Sequence, residues 1–159
     1  MATYEATVTW RRGADERFVD KRYSRAHEWQ FDGGARVHAS ASPHVVRPPL
    51  SDPSGVHPEE ALVAAISSCH MLSFLWVAAQ RGFAVVSYED AALGVMSKDE
   101  RGREWVTKTT LRPVIRFDGD KRPNESELAA LHHEAHDICY IANSVKTEIV
   151  VEGRGEGLR

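Results

Sequence analysis

Pro58-Glu59-Glu60-Ala61-Leu62-Val63-Ala64-Ala65-Ile66-Ser67-Ser68-Cys69 is the stretch that decides the fold. Pro58 suits the first position of a helix, where its missing N–H is no loss. Glu59 and Glu60 set negative charge against the positive end of the helix dipole. From Ala61 to Gln80 there is neither glycine nor proline, and Arg81-Gly82 supplies a stop. At about 1.5 Å per residue this predicts a helix on the order of 35 Å long. Its middle is apolar or small nearly all round, which predicts burial on most sides and a central place in the fold.

The sequence before this helix reads as strand and loop. Tyr4 to Trp10 alternates in period two and is rich in β-formers, and Arg11 to Asp15 is a polar turn. Extended pieces follow around Phe18 to Phe31 and Ala35 to Ala41, and the intervening Asp32-Gly33-Gly34 is a hairpin signal. Around His44 to His57, the prolines Pro43, Pro48, Pro49 and Pro53 exclude a helix or a central strand. After the helix, Phe83 to Lys98 and Trp105 to Phe117 read as strands joined at Asp99-Glu100-Arg101-Gly102. A second helix follows Pro123, with Asn124 as N-cap and Glu127 as its capping-box partner. Leu128, Leu131, Ala135, Ile138 and Ala142 form its apolar stripe, and Asn143 is the expected end. Val145 to Val151 is a closing strand and Gly153 to Arg159 a loose tail. This order predicts one α+β domain over residues 1–159.

Composition narrows the function. The 159 residues carry 20 Lys plus Arg against 23 Asp plus Glu, a net charge of −3, which argues against a nucleic-acid partner. At 42% hydrophobic and 27% charged, the chain can bury a core. No stretch is read as approaching the roughly 20 apolar residues that span a bilayer. Met1-Ala2-Thr3-Tyr4-Glu5 lacks the basic and apolar regions of a signal peptide, so a cytoplasmic location is expected.

Chemistry centres on two cysteines, Cys69 and Cys139. In a reducing compartment such thiols are inert core residues, metal ligands or redox-active groups. Cys69 lies midway along the first helix, where an apolar setting raises a thiol pKa unless a cation offsets it. Cys139 lies near the end of the second. If the helices pack together, the sulfurs could meet, provided the Cα atoms come within about 7 Å. A competing reading is a zinc site, because His132, His136 and Cys139 fall at i, i+4 and i+7 on one helical face. His133-Glu134-Ala135-His136 spaces its histidines one residue too closely for a metalloprotease motif. A phosphate loop and a nucleophile elbow are both missing from the sequence.

The stretch from Pro58 to Cys69 resembles the OsmC-like family, which includes the organic hydroperoxide resistance proteins. Its landmarks are a Pro-Glu pair opening an alanine-rich helix and a peroxidatic cysteine ten residues after the glutamate, as in Glu59 and Cys69. A second landmark, an Ala-His pair followed by a cysteine and a turn, resembles Ala135-His136-Asp137-Ile138-Cys139-Tyr140-Ile141-Ala142-Asn143. The resemblance implies antiparallel sheets, two long helices and an intertwined homodimer. It also implies a cysteine-based peroxidase for organic hydroperoxides. Cys69 would be the peroxidatic thiol, Cys139 the resolving thiol and Glu59 the carboxylate that orients an arginine. Arg25 is nearest to that arginine's position, with Arg11, Arg12, Arg17 and Arg22 as alternatives. The implied turnover needs no bound cofactor, only an external dithiol reductant of lipoyl type. Met71, Phe74, Trp76 and Tyr140 are candidate pocket-lining residues. Tyr140 stands where the hydroperoxide branch typically has proline and His70 where an aromatic is common, which marks a divergent subgroup. Two other functions remain open: a non-catalytic protein binding a hydrophobic ligand, and a metal-binding protein using the helix histidines.

Overall fold

A computed structural model describes residues 1–156, and the chain forms two compact units, Met1–Ala61 and Leu62–Arg159. In the first, β1 (Ala6–Thr9), β2 (His27–Phe31) and β3 (Arg36–Ala39) form an antiparallel sheet in the order β1-β2-β3. The Asp32-Gly33-Gly34 turn joins β2 to β3 as expected, with Phe31 N donating to Ala35 O at 3.0 Å. The extended piece expected from Phe18 begins only at His27. Residues 17–22 instead close on themselves through hydrogen bonds between Arg17 and Arg22. Phe18, Tyr23 and Trp10 form an aromatic cluster there, with Phe18 stacked on Tyr23 at 4.7 Å between centroids and Trp10 edge-on to Tyr23.

The predicted long helix is α1, Pro58–Gln80. Its stop is built as the sequence suggests. Gly82 adopts φ +74°, a conformation that L side chains rarely take, so that Phe83 N reaches Ala78 O and Arg81 N reaches Val77 O. Ile66, His70, Phe74, Val77 and Ala78 form its buried stripe. Burial on most sides does not hold within the single chain, because Leu72 is 62% and Trp76 52% exposed. The membrane reading is also corrected, since α1 carries an 18-residue window of mean hydropathy 1.8 and is long and apolar enough to cross a bilayer by length and composition. The helix uses that apolarity to pack Phe74, Val77 and Ala78 into the core. Full burial of a side chain such as Phe74 contributes about 1.5–3 kcal/mol.

After α1 come β4 (Ala84–Asp90), β5 (Leu93–Lys98), β6 (Glu104–Leu111) and β7 (Pro113–Asp118). They are followed by α2 (Glu125–Ile138), β8 (Glu148–Val151) and β9 (Arg154–Glu156). One sheet runs β4-β7-β9 and the other β5-β6-β8. Each combines an antiparallel pair with a parallel outer strand, β9 on β7 and β8 on β6. This is the α+β class the sequence predicts, with mixed rather than purely antiparallel sheets. β7 buries Pro113, Ile115 and Phe117 on one face, and Ile115 and Phe117 meet Phe74, Phe83, Leu128, Leu131 and Ala135 in the core.

The Asn124–Glu127 capping box is present in both directions. The other end of α2 differs from expectation. The helix stops at Ile138, and residues Ala142–Ser144 form a separate 3-10 turn. The tail expected to be loose from Gly153 instead forms β9 through pairing with β7, and Gly157 to Arg159 lie outside the described residues.

Candidate functional site

α1 and α2 bring their cysteines together. Cys69 is half-buried on α1, Cys139 is fully buried at the C-cap of α2, and both are free thiols. Burial pushes the Cys139 thiol up, and the adjacent Cys69 sulfur raises it further, against a lowering by the Ala142 amide. Cys139 therefore keeps its proton while Cys69 is the more accessible sulfur.

The chain beyond α2 is folded around these sulfurs. Ile141 N donates to Cys69 Sγ at 3.5 Å and Ala142 N donates to Cys139 Sγ at 3.4 Å. Asn143 Nδ2 donates to Asp137 O at 2.9 Å and to Cys139 O at 3.0 Å, tying down two carbonyls at the helix end. Ser144 Oγ closes the turn on Tyr140 O at 2.7 Å. From the sequence Asn143 is expected only to end the helix. A polar side chain four residues after a cysteine at a helix end was the signal available.

Beside the thiols lies a second feature that the sequence did not reveal. His70 of α1 and His132 of α2 are buried, their rings nearly parallel at 12° with Nε2 of the first 3.1 Å from Nδ1 of the second. Phe74 packs on His132 at 4.6 Å. Burial pushes both imidazoles down, from 6.5 to about 4. His136 lowers His70 further while Asp90 opposes it, and His70 lowers His132 further. The pair is neutral at neutral pH. Gly153 makes the close approach possible, since a Cβ there would stand 2.3 Å from His132 Nε2.

This pairing differs from the arrangement that the competing zinc reading requires. His132 Nδ1 is engaged with His70, its Nε2 lies against Gly153, and Cys139 is turned toward Cys69 and the Ala142 amide. Among the described residues no group of three His, Cys, Asp or Glu could hold a metal ion.

Glu59 shares α1 with Cys69, ten residues and about 15 Å earlier along the axis. Its Oε2 is buried with no hydrogen-bond partner among the described residues. Arg25 lies in the N-terminal unit, where Nη1 donates to Lys21 O and Tyr23 O and the guanidinium stacks 3.8 Å over the Tyr23 ring. It forms no ion pair with Glu59 among the described residues of this chain. The alternative Arg17 pairs with Asp20 at 3.2 Å.

Of the expected pocket residues, Phe74 belongs to the core, Met71 is half-buried, and Trp76 and Tyr140 are exposed. A groove of about 730 Å³ lies elsewhere, between α2 and the β8–β9 segment, with Leu128, His132, Ile149 and Arg154 among its walls.

Comparison with known proteins places this arrangement. The family model described as OsmC-like protein matches residues 51–153. No curated protein matches the chain. The structure of an OsmC-like protein of unknown function from Vibrio cholerae is 52% identical, with TM-score 0.93, over 97% of this chain and 100% of that one. An organic hydroperoxide resistance protein OsmC from Legionella pneumophila shares the fold at TM-score 0.65 and 14% identity, over 98% of this chain and 97% of its own. The organic hydroperoxide resistance protein OhrB of Bacillus subtilis does so at TM-score 0.64 and 17% identity, over 98% of each chain. The model match across both cysteine-bearing helices and the near-complete superposition on a half-identical relative establish that the chain belongs to the OsmC-like family.

Proposed function

We propose that the chain is a thiol-dependent peroxidase that reduces organic hydroperoxides to alcohols. The observation that carries this reading is the meeting of two free thiols of unequal character. Cys69 is accessible enough to attack, and Cys139 is buried and held protonated beside it. The shared fold of the organic hydroperoxide resistance proteins supports the same reading.

The chemistry balances with these two residues. The Cys69 thiolate attacks the peroxide O–O bond, taking one oxygen as sulfenic acid, and the departing alkoxide picks up a proton to become the alcohol. Cys139 then attacks the sulfenic sulfur, its proton leaves with the hydroxide as water, and the Cys69–Cys139 disulfide closes. An external dithiol of lipoyl type supplies two electrons and two protons to reopen it, and no bound cofactor is required. We assign Arg25 as the guanidinium that favours the thiolate and donates hydrogen bonds to the peroxide. Glu59, whose Oε2 has an unfilled hydrogen-bonding capacity, is assigned as the carboxylate that orients it. The partner in assembly is a second copy of the chain, which would cover the exposed Leu72 and Trp76 of α1. The setting is the cytoplasm, where thiols are kept reduced.

Purified protein supplied with dihydrolipoamide should consume cumene hydroperoxide catalytically, and faster than hydrogen peroxide. Absence of turnover with both peroxides would refute the peroxidase reading and favour a ligand-binding role for the groove beside α2.

A further inference from the structure

The turn that follows α2 does more than end the helix. Residues 139–144 leave two backbone amides free of helical partners, and each points at a different sulfur: Ile141 N at Cys69 Sγ and Ala142 N at Cys139 Sγ. Cys139 stands where α2 gives way to the turn: its N–H still donates to His136 O at 3.2 Å, but its φ −73° and ψ 112° are no longer helical, so the residues after it set how its sulfur is held. Cys69 by contrast sits in the middle of a 23-residue helix. When the two sulfurs close from neighbouring thiols to a bond of about 2.05 Å, the turn is the part that can adjust.

Asn143 is what fixes that turn. Its single Nδ2 group spans the helix end, donating to Asp137 O and to Cys139 O, while its own N–H also reaches Cys139 O at 3.0 Å. Three hydrogen bonds from one residue to two carbonyls hold Cys139 in one orientation. We propose that Asn143 is a positioning residue for disulfide closure. By clamping the 137–139 carbonyls it aims Cys139 Sγ at the Cys69 sulfur, and so sets how fast Cys139 resolves any species formed on Cys69. The inference deepens the peroxidase reading but can be tested without a peroxide.

Glutathione disulfide is the probe. Cys69 attacks one of its sulfurs, forming a Cys69–glutathione mixed disulfide and releasing one glutathione thiolate. Cys139 then attacks the Cys69 sulfur, closing the internal disulfide and releasing the second glutathione. Rapid quenching with intact-mass detection follows the single-adduct species. In the wild-type protein it should be transient. In Asn143→Ala, which loses two hydrogen bonds to the clamped carbonyls, resolution should slow about tenfold or more and the adduct should accumulate.

Asn124→Ala separates positioning from mere stability, because it removes the cap at the opposite end of the same helix and leaves the turn intact. It should lower the melting temperature yet resolve the adduct at the wild-type rate. Should Asn143→Ala fail to fold, Asn143→Asp, of the same shape without the donor, carries the same expectation. Wild-type resolution in the Asn143 variant, or equal slowing in both variants, overturns the proposal. A wild-type protein that resolves the glutathione adduct but is not oxidised by cumene hydroperoxide would refute the peroxidase reading alone.

Discussion

Replacing Cys69 by serine is expected to reduce peroxide turnover at least about a thousandfold while leaving the fold and melting temperature close to wild type. A serine hydroxyl stays protonated at neutral pH and is a poor nucleophile toward oxygen, so the bond-breaking step loses its only attacking group. Cys69 is half-buried and its sulfur accepts one hydrogen bond, from Ile141 N, that a hydroxyl oxygen can also accept. Little packing is lost. Cys139→Ser should behave differently. One equivalent of cumene hydroperoxide would still be reduced, leaving Cys69 as sulfenic acid with no thiol to condense with. Further peroxide would drive it to sulfinic acid, an addition of oxygen visible by mass. Steady-state assay of both variants checks the assignment. A Cys69→Ser protein retaining wild-type rates, or a Cys139→Ser protein that cycles normally with a monothiol-free reductant, would contradict it.

The second large effect is on stability below neutral pH. His70 and His132 are neutral in the folded protein because burial lowers both from 6.5 to about 4. The unfolded chain takes up protons on both rings as pH falls through about 6.5, while the folded chain does not follow until about pH 4. Protons therefore favour the unfolded state throughout that interval, and stability falls as pH is lowered. The loss should be on the order of 3 kcal/mol for each histidine, about 6 kcal/mol for the pair, by pH 4, since each unit of difference at one site is worth about 1.4 kcal/mol. Thermal melts from pH 7.5 to pH 4 check it. A His70→Gln/His132→Gln variant, which keeps polar groups at both positions but cannot titrate, should flatten the profile over the same range. Asp52 does not confuse the result. Hydrogen bonds from Ser54 and His38 hold its carboxyl at about 2, so its stabilisation is lost only once pH falls below the unfolded value near 3.8.

How much of this was legible in the sequence depends on how local each cause is. The start and stop of α1 and the Asn124–Glu127 box are set by residues that touch one another along the chain, and both appear as read. The end of α2 was not legible. Ala142 continues the apolar period of Leu128, Leu131, Ala135 and Ile138, but the chain leaves the helix at Cys139 to bond its amides to two sulfurs, one of them 72 residues away. The strand at Arg154–Glu156 depends on a parallel partner, Val114–Arg116, that no nearby residue announces.

The site divides in the same way. The two cysteines and Glu59 stood out because helix spacing and the family landmarks both mark them. The His70–His132 pair could not be read from spacing, since it joins different helices across 62 positions and relies on a glycine at 153 to make room. Spacing along α2 offers His132 only a competing place beside His136 and Cys139 on one helical face, whereas its partner lies on α1. Arg25 was the hardest to place from sequence, because five arginines stand within residues 11–25 and the strand expected to align them starts only at His27.

In the proposed cycle Cys69 and Cys139 form a redox couple whose disulfide is closed by peroxide and reopened by dithiol. Intact mass of the reduced protein, recorded before and after one equivalent of cumene hydroperoxide with hydrogen peroxide in parallel, tests it most directly. Rapid loss of two hydrogens is expected, faster with the organic peroxide, mapped to a Cys69–Cys139 disulfide and reversed by dihydrolipoamide. An unchanged mass, with both thiols still alkylated after denaturation, would contradict it.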